Sequence, residues 1–232
     1  MTIEQLLDSL SSMKKTQTDT TTQNPTLPAK PRIVDAAITL FNEQGTLVVS
    51  TNHIAKHAGV SPGTLYYHFR TKNDIIYAIM EKIRGYDQRL FSNISAYPSQ
   101  DKMAFFNFVL QNMNQHNWQF RFIKRDMTAL CASDKELAER YAQFQQSRIE
   151  YLEKFIEFAI LIEIFKPLNP GTLSFLANQL WLNIHYWNLH LVNNNRELTP
   201  QSIAELESAI RHLLLPYFTD PIALKVQEQL SS

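Results

Sequence analysis

The chain has 232 residues, 44% of them apolar, only five glycines and no long alternation of apolar and polar residues, which argues against a sheet and for a helical globular protein. Twenty-two Lys or Arg balance twenty-two Asp or Glu, so the formal charge is zero, which by itself argues against a nucleic-acid binder. A single cysteine, Cys131, excludes an intramolecular disulfide and a cysteine-based zinc site, and its small apolar neighbours point to a buried structural thiol.

Met1 to Lys15 carries Glu4 and Asp8 and lacks a long apolar run, unlike a signal peptide. Ile3, Leu6, Leu7, Leu10 and Met13 are spaced for one short amphipathic helix. Residues 16–29, rich in Thr and Gln with Pro25 and Pro28, read as a tether, so residues 1–29 form a flexible extension. Ile33, Ala36, Ala37, Leu40 and Phe41 then make the apolar stripe of a first helix, which Gly45 ends as a left-handed cap. Thr51 stands at an N-cap position before Ile54, Ala55 and Ala58, and Gly59 stops this second helix. Ser61 caps a third helix with Pro62 in its first turn, and Leu65 and Phe69 lie on its inner face. Thr71 and Asp74 have capping-box spacing and open a longer helix with Ile75, Ile76, Ile79, Met80 and Ile83.

Farther on, helices are expected near residues 101–117, 119–131, 134–165, 171–194, 200–217 and 220–230, with prolines marking most of the breaks. Residues 167–195 contain no Asp, Glu, Lys or Arg, but recurring Asn, Gln and His disqualify them as a membrane span, which suggests a cytoplasmic protein. No nucleophile–base motif or glycine-rich phosphate loop is present. His185 and His190 are five apart rather than four and lack a third ligand, and His116 reads as a surface or capping residue. Neither an enzyme nor a cofactor or metal protein is indicated.

Two short helices joined at Gly59-Val60-Ser61 have the form of a helix-turn-helix. The glycine permits a positive φ, Val60 plugs the angle, and Ala55 lets the helices approach closely. The helix over 61–69 can then present Pro62, Gly63, Thr64, Tyr66, Tyr67 and His68 to a major groove. Charge supports this mildly: residues 30–95 hold eight Lys or Arg against five Asp or Glu, whereas residues 96–232 hold twelve against fourteen.

Arg32 to Met80, RIVDAAITLFNEQGTLVVSTNHIAKHAGVSPGTLYYHFRTKNDIIYAIM, closely resembles the N-terminal domain of TetR-family regulators, over roughly a fifth of the chain. The resemblance implies an all-α protein. A three-helix DNA-binding domain would span residues 30–76, followed by a helical effector-binding and dimerisation domain over 77–232, with the helix from residue 72 linking them. It places Thr51 and Asn52 at phosphates or an outer base. Pro62, Gly63, Thr64 and Tyr66 fall where the family touches base edges, and Tyr67, His68 and Lys72 where it meets phosphates. Lys30 and Arg32 are placed to reach the backbone or minor groove. Asn52 stands where many members carry arginine, which shortens its reach, although Asn suits adenine. Each role has a structural competitor: Tyr66 as a packed aromatic, His68 as a cap, and Arg70 and Lys72 as solvated charges.

The family function implied is a repressor released from a palindromic operator by a small ligand. The alternative is an activator or a regulator controlled by a protein partner. Homodimerisation is expected through helices near 171–194 and 200–217, whose stripes include Phe175, Leu176, Leu180, Trp181, Ile184, Trp187 and Leu191, then Ile203, Leu206, Ile210, Leu213 and Leu214. These stripes serve equally as monomer core. The aromatic and Met-rich stretch from Met103 to Met127, with Phe105, Phe106, Phe108, Met113, Trp118, Phe120 and Phe122, is the candidate ligand wall. Tyr141, Phe144, Tyr151, Phe155 and Phe158 would face it, which suits a hydrophobic or aromatic effector or a plain helical core.

Overall fold

A computed structural model describes residues 28–95 and 101–231, with the backbone alone for residues 88 and 91–95. The short helix expected over residues 3–13, and the tether up to residue 27, lie outside the described residues. Ten α-helices follow one another among the described residues: α1 (Ala29–Gln44), α2 (Thr51–His57), α3 (Pro62–His68), α4 (Lys72–Ser95), α5 (Lys102–Gln119), α6 (Arg121–Ser133), α7 (Lys135–Leu161), α8 (Pro170–Asn193), α9 (Pro200–Leu214) and α10 (Asp220–Ser231). A single 3₁₀ turn, Leu215–Tyr217, precedes α10. No described helix is long and apolar enough to cross a membrane.

Local chemistry sets most of the boundaries. Ser61 accepts the N–H of Thr64 at 3.0 Å and opens α3 with Pro62 behind it. Thr71 and Asp74 bond reciprocally, side chain to backbone, at 2.9 and 3.1 Å and open α4. The cap of α2 is Ser50, one residue earlier than expected; its hydroxyl accepts from the His53 N–H. Thr51 is thereby left free for another contact. Gly45 has a positive φ of 87° but an extended ψ of 148°, so it turns the chain outward rather than closing a left-handed cap. α7 stops at Leu161, four residues short of the expected end. Glu163 takes a φ of 58° there, and the Ile164 N–H returns to the Ala159 carbonyl. A single antiparallel bridge between Phe165 and Phe218 then ties the end of α7 to the start of α10.

Two cores organise the packing. The first collects Ile33, Ala37 and Phe41 of α1, Ile54 and Leu65 of the short helices, and Ile75, Ile76 and Ile79 of α4. It continues without a break into Phe122, Ile123 and Met127 of α6 and Leu137, Tyr141 and Phe144 of α7. Phe41 and Phe122 are both fully buried, with ring centroids 5.2 Å apart. Burying each ring contributes about 2–3 kcal/mol. The second core lies among α5, α7, α8, α9 and α10 around Phe105, Phe106, Phe165 and Phe218.

Ala55 is 1% exposed where α2 crosses its neighbours. Ala55→Leu should destabilise the protein by about 1–3 kcal/mol through overpacking. Urea unfolding monitored by circular dichroism measures it; an unchanged midpoint would mean that α2 can shift to make room.

Candidate nucleic-acid interface and buried cavity

The turn between α2 and α3 is held by its own backbone. Gly59 has a φ of 63°, its N–H bonds the Lys56 carbonyl at 3.2 Å, and the Val60 N–H bonds the Ala55 carbonyl at 3.0 Å. Val60 is partly buried against the first core, and Leu65 and Phe69 are buried beneath α3. The opposite face of α3 is left to solvent: Pro62 and Gly63 are exposed, Tyr66 is half exposed and Tyr67 is 85% exposed. The Thr51 and Tyr66 hydroxyls lie 3.0 Å apart, so the first residue of α2 braces the ring on α3. Thr64 is partly buried, its hydroxyl 2.9 Å from that of Ser61. His68 packs edge-on to Tyr67 at 5.0 Å, and Asn52 on α2 is exposed. Thr51, Asn52, Pro62, Gly63, Thr64, Tyr66, Tyr67 and His68 thus lie on the two short helices, joined across them by the Thr51–Tyr66 contact.

The basic residues around the turn make contacts within the protein. The Lys72 ammonium points back beneath the reading head, donating to the carbonyls of Thr46 at 2.5 Å and Val49 at 3.1 Å. Partial burial lowers its pKa. Arg32 donates to the carbonyls of Ala58 at 3.1 Å and Gly59 at 3.4 Å, where a cation complements the C-terminal end of α2. The Lys30 ammonium lies 5.8 Å from the centroid of the Phe69 ring. Lys72 and Arg32 are engaged within the protein by bonds that sequence spacing could not show, because their acceptors are loop carbonyls.

The reading head is clamped to α6. Asn42 donates to the Gln119 carbonyl at 2.7 Å and accepts from the Phe122 N–H at 3.0 Å. Arg125 donates to the Phe41 carbonyl at 2.6 Å, and Asp126 accepts from both the N–H and the hydroxyl of Thr46 at 2.8 and 2.9 Å. Burial by itself would raise the Asp126 pKa, but the hydrogen bonds from Arg125 and Thr46 outweigh it and the carboxyl titrates lower than usual.

Just behind this clamp lies a partly open cavity of about 130 Å³ lined by α4, α5, α7, α8 and α9. Phe106, Met113, Tyr151, Phe155 and Trp181 supply much of its apolar wall. Of the stretch expected to line a ligand site, Phe105 and Phe122 instead fill the solid cores. The polar wall carries the Arg148–Asp87 ion pair, and Tyr86 donates to Asn112 at 2.9 Å. A compartment of about 30 Å³, lined in part by Lys124, Tyr141 and His185, shares His116, Asn117, Arg148 and Trp181 with the larger cavity.

His116 is 8% exposed and lines both spaces, so its reading as a surface or capping residue is corrected; neighbouring rings of Tyr86 and Phe120 enclose it. Burial first, then the charges of Arg148 and Lys124, lower its pKa well below the usual value. Burial, then Lys124 and Arg148, lower that of His185 to about 4. His185 stacks on Trp181, with Nε2 3.3 Å from the Tyr141 hydroxyl. Cys131 is only partly buried rather than fully enclosed, with its thiol pKa raised first by burial and then by Asp134.

The apolar stripes expected to dimerise turn out to serve largely as the protein's own core: Leu176, Leu180, Ile184 and Leu191 of α8, and Ile203, Leu206, Ile210 and Leu214 of α9, are buried. A second stripe on α8 remains open, with Phe175 57%, Leu182 47% and Tyr186 48% exposed.

Comparison with known proteins agrees with this architecture. The family model described as "Bacterial regulatory proteins, tetR family" matches residues 33–79, and that described as "Bacterial transcriptional repressor" matches residues 85–223, more than half of the chain. The probable HTH-type transcriptional regulator YttP of Bacillus subtilis is 29% identical over 139 residues, 58% of this chain and 63% of that protein. An HTH-type transcriptional regulator of Staphylococcus aureus (strain USA300) is 42% identical over 53 residues, 23% of this chain and 29% of its own length. The chain thus spans less than two thirds of each of these curated relatives. A TetR-family transcriptional regulator from Marinobacter aquaeolei superposes with a TM-score of 0.71 at 26% identity, covering 88% of this chain and 98% of the other. A complex of SmeT with triclosan shares the fold at 17% identity, with a TM-score of 0.62 over 84% of this chain and 93% of that one.

Lys72→Met should lower unfolding stability by about 1–2 kcal/mol, because two loop carbonyls lose a charged donor; denaturant unfolding that matches the parent protein would dismiss the strap. The depressed His185 pKa carries a sign for acid stability. The unfolded imidazole takes up a proton near pH 6.5 while the folded one stays neutral to about pH 4. Stability should therefore be full above pH 6.5 and fall by about 3 kcal/mol toward pH 4, and His185→Phe should flatten that slope in denaturant titrations across the window.

Proposed function

This chain belongs to the TetR family of bacterial regulatory proteins, a family of transcriptional regulators rather than enzymes, and from that premise we propose that it is a repressor that leaves a palindromic operator when a small apolar ligand fills the cavity. The observation that carries the DNA-binding part is the outer face of α3, where a largely solvent-exposed Tyr67 and a half-exposed Tyr66 stand on a helix otherwise anchored by Leu65 and Phe69. Large aromatics so exposed on a rigid support suit contact with a second surface.

In this reading α3 enters the major groove. Pro62, Gly63, Thr64 and Tyr66 meet base edges, while Tyr67 and His68 meet phosphates. Thr51 and Asn52 approach the flanking backbone. Lys72 acts beneath them by fixing the loop that carries α2, and Arg32 by fixing the α2 end. One such helix reads only a few base pairs, so two subunits reading two half-sites are required for useful specificity. The open stripe of Phe175, Leu182 and Tyr186 on α8 supports pairing with a second copy. The protein would work in the cytoplasm, where its operator is.

Release requires that the ligand bind the arrangement with misplaced reading heads more tightly than the DNA-competent one. The clamp of Asn42 on Gln119 and Phe122 supports the route, because His116 and Asn117 in the cavity wall lie within one helical turn of it. SmeT, which shares the fold, forms a complex with triclosan, an aromatic small molecule.

Selection of bound sequences from a random DNA pool should enrich a two-fold symmetric site, and recovery of no enriched sequence would overturn the reading. On that site, Tyr67→Ala should weaken binding about tenfold in fluorescence anisotropy without lowering the melting temperature, since the ring is 85% exposed. Leu182→Asp should convert a dimer to a monomer in sedimentation equilibrium.

A further inference from the structure

The basic groups beside the cavity are unevenly compensated. Arg148 is neutralised by Asp87 on the wall of the larger cavity. Lys124, one compartment away, has no carboxylate partner among the described residues. Its ammonium donates to Asn117 Oδ1 at 2.6 Å and to the Ile184 carbonyl, a mid-helix acceptor. Around it stand His116, His185, Arg148 and the Tyr141 hydroxyl, and no acidic side chain lines this smaller compartment. Burial first, then the neighbouring cations, lower the pKa values of Lys124, His116 and His185, so both imidazoles are neutral at pH 7 and the positive charge of this wall rests with Lys124 and Arg148. Two buried nitrogens in the same wall, His116 Nε2 and Asn117 Nδ2, also lack a hydrogen-bond partner. Leaving such groups unmet costs about 1–3 kcal/mol each.

The sizes fit a divided ligand. A cavity needs roughly 10–15 Å³ of this kind of space to hold one water, so the 30 Å³ compartment takes about two small polar atoms. The adjoining 130 Å³, walled by rings and aliphatic chains, suits one aromatic ring or a short alkyl chain. From this juxtaposition we infer that the effector is a small monocarboxylic acid, its apolar body in the larger cavity and its carboxylate beside Lys124. This rests on the reading of the cavity as the effector site.

The carboxylate would draw the Lys124 ammonium from the Ile184 carbonyl, which already serves its own helix, and give it an ionic partner in a partly buried compartment. Lys124 is well placed to report that change. It sits on α6 between Phe122, whose N–H holds Asn42, and Arg125, whose guanidinium holds the Phe41 carbonyl. A pull on Lys124 therefore acts on the turn that grips the reading head.

The test is calorimetric titration of the full chain at pH 7 with benzoate and octanoate, each against its uncharged counterpart, benzyl alcohol or octanol. Each acid should bind at least about tenfold more tightly than its alcohol, a difference within reach of one desolvated charge pair. Lys124→Met should bring acid binding down to the alcohol level while leaving alcohol binding unchanged. Lys124→Gln serves the same purpose should the Met variant fail to fold by circular dichroism. Alcohols that bind as tightly as the acids, or an acid preference that survives both substitutions, would overturn the charge assignment yet leave the cavity as an effector site. Failure of all four compounds to bind a protein that still binds its operator would overturn the cavity reading as well.

Discussion

The structure depends on the seam between the end of α1 and the start of α6. Asn42 bonds both ways across it, Arg125 covers the Phe41 carbonyl, and Asp126 receives Thr46, while beneath these bonds the Phe41 and Phe122 rings meet in the dry interior. Shape and polarity agree at this one place. The aromatic contact supplies burial, and the hydrogen bonds satisfy backbone groups that the α1 end and the α5–α6 corner would otherwise leave open. Because the first core runs through the seam into α6 and α7, the three short helices share a hydrophobic interior with the larger helical body. A displacement of α6 must therefore be answered by the reading head or by a loss of packing.

The same economy governs the basic residues. Several of the chain's cations are committed to contacts within the protein rather than to facing outward. Lys72 and Arg32 each bond two loop or helix-end carbonyls, Arg125 spans the seam, and Arg148 balances Asp87. What remains on the outer face of α3 is mainly aromatic and hydroxyl chemistry, with Tyr66 braced by Thr51.

Legibility in the sequence varied with the range of the interaction responsible. Ser61, Pro62, Gly59 and the Thr71–Asp74 pair act within four residues of themselves, and the boundaries they set appear where their pattern put them. Ser50 took the cap assigned to Thr51 because two adjacent hydroxyl residues compete and a partner 15 residues away, Tyr66, decides between them. The end of α7 is not legible in the sequence because Glu163 occupies a left-handed turn with no glycine to announce it; the Phe165–Phe218 bridge across the fold fixes the chain there.

Residue type and short spacing thus determined the all-helical class, the helix-turn-helix with its buried Leu65 and Phe69, and the outward-facing set from Thr51 to His68. Those properties follow from capping, periodicity and turn chemistry, which are local. Only the tertiary structure decided the direction of each long side chain: Lys72 inward to loop carbonyls, His116 into a cavity wall, Lys124 into an enclosure without an acid, and the apolar stripes of α8 and α9 into the protein's own core. A flexible side chain is oriented by partners as distant as 23 and 26 residues for Lys72 and 60 for Lys124, and no pattern along the chain encodes which of them will be within reach.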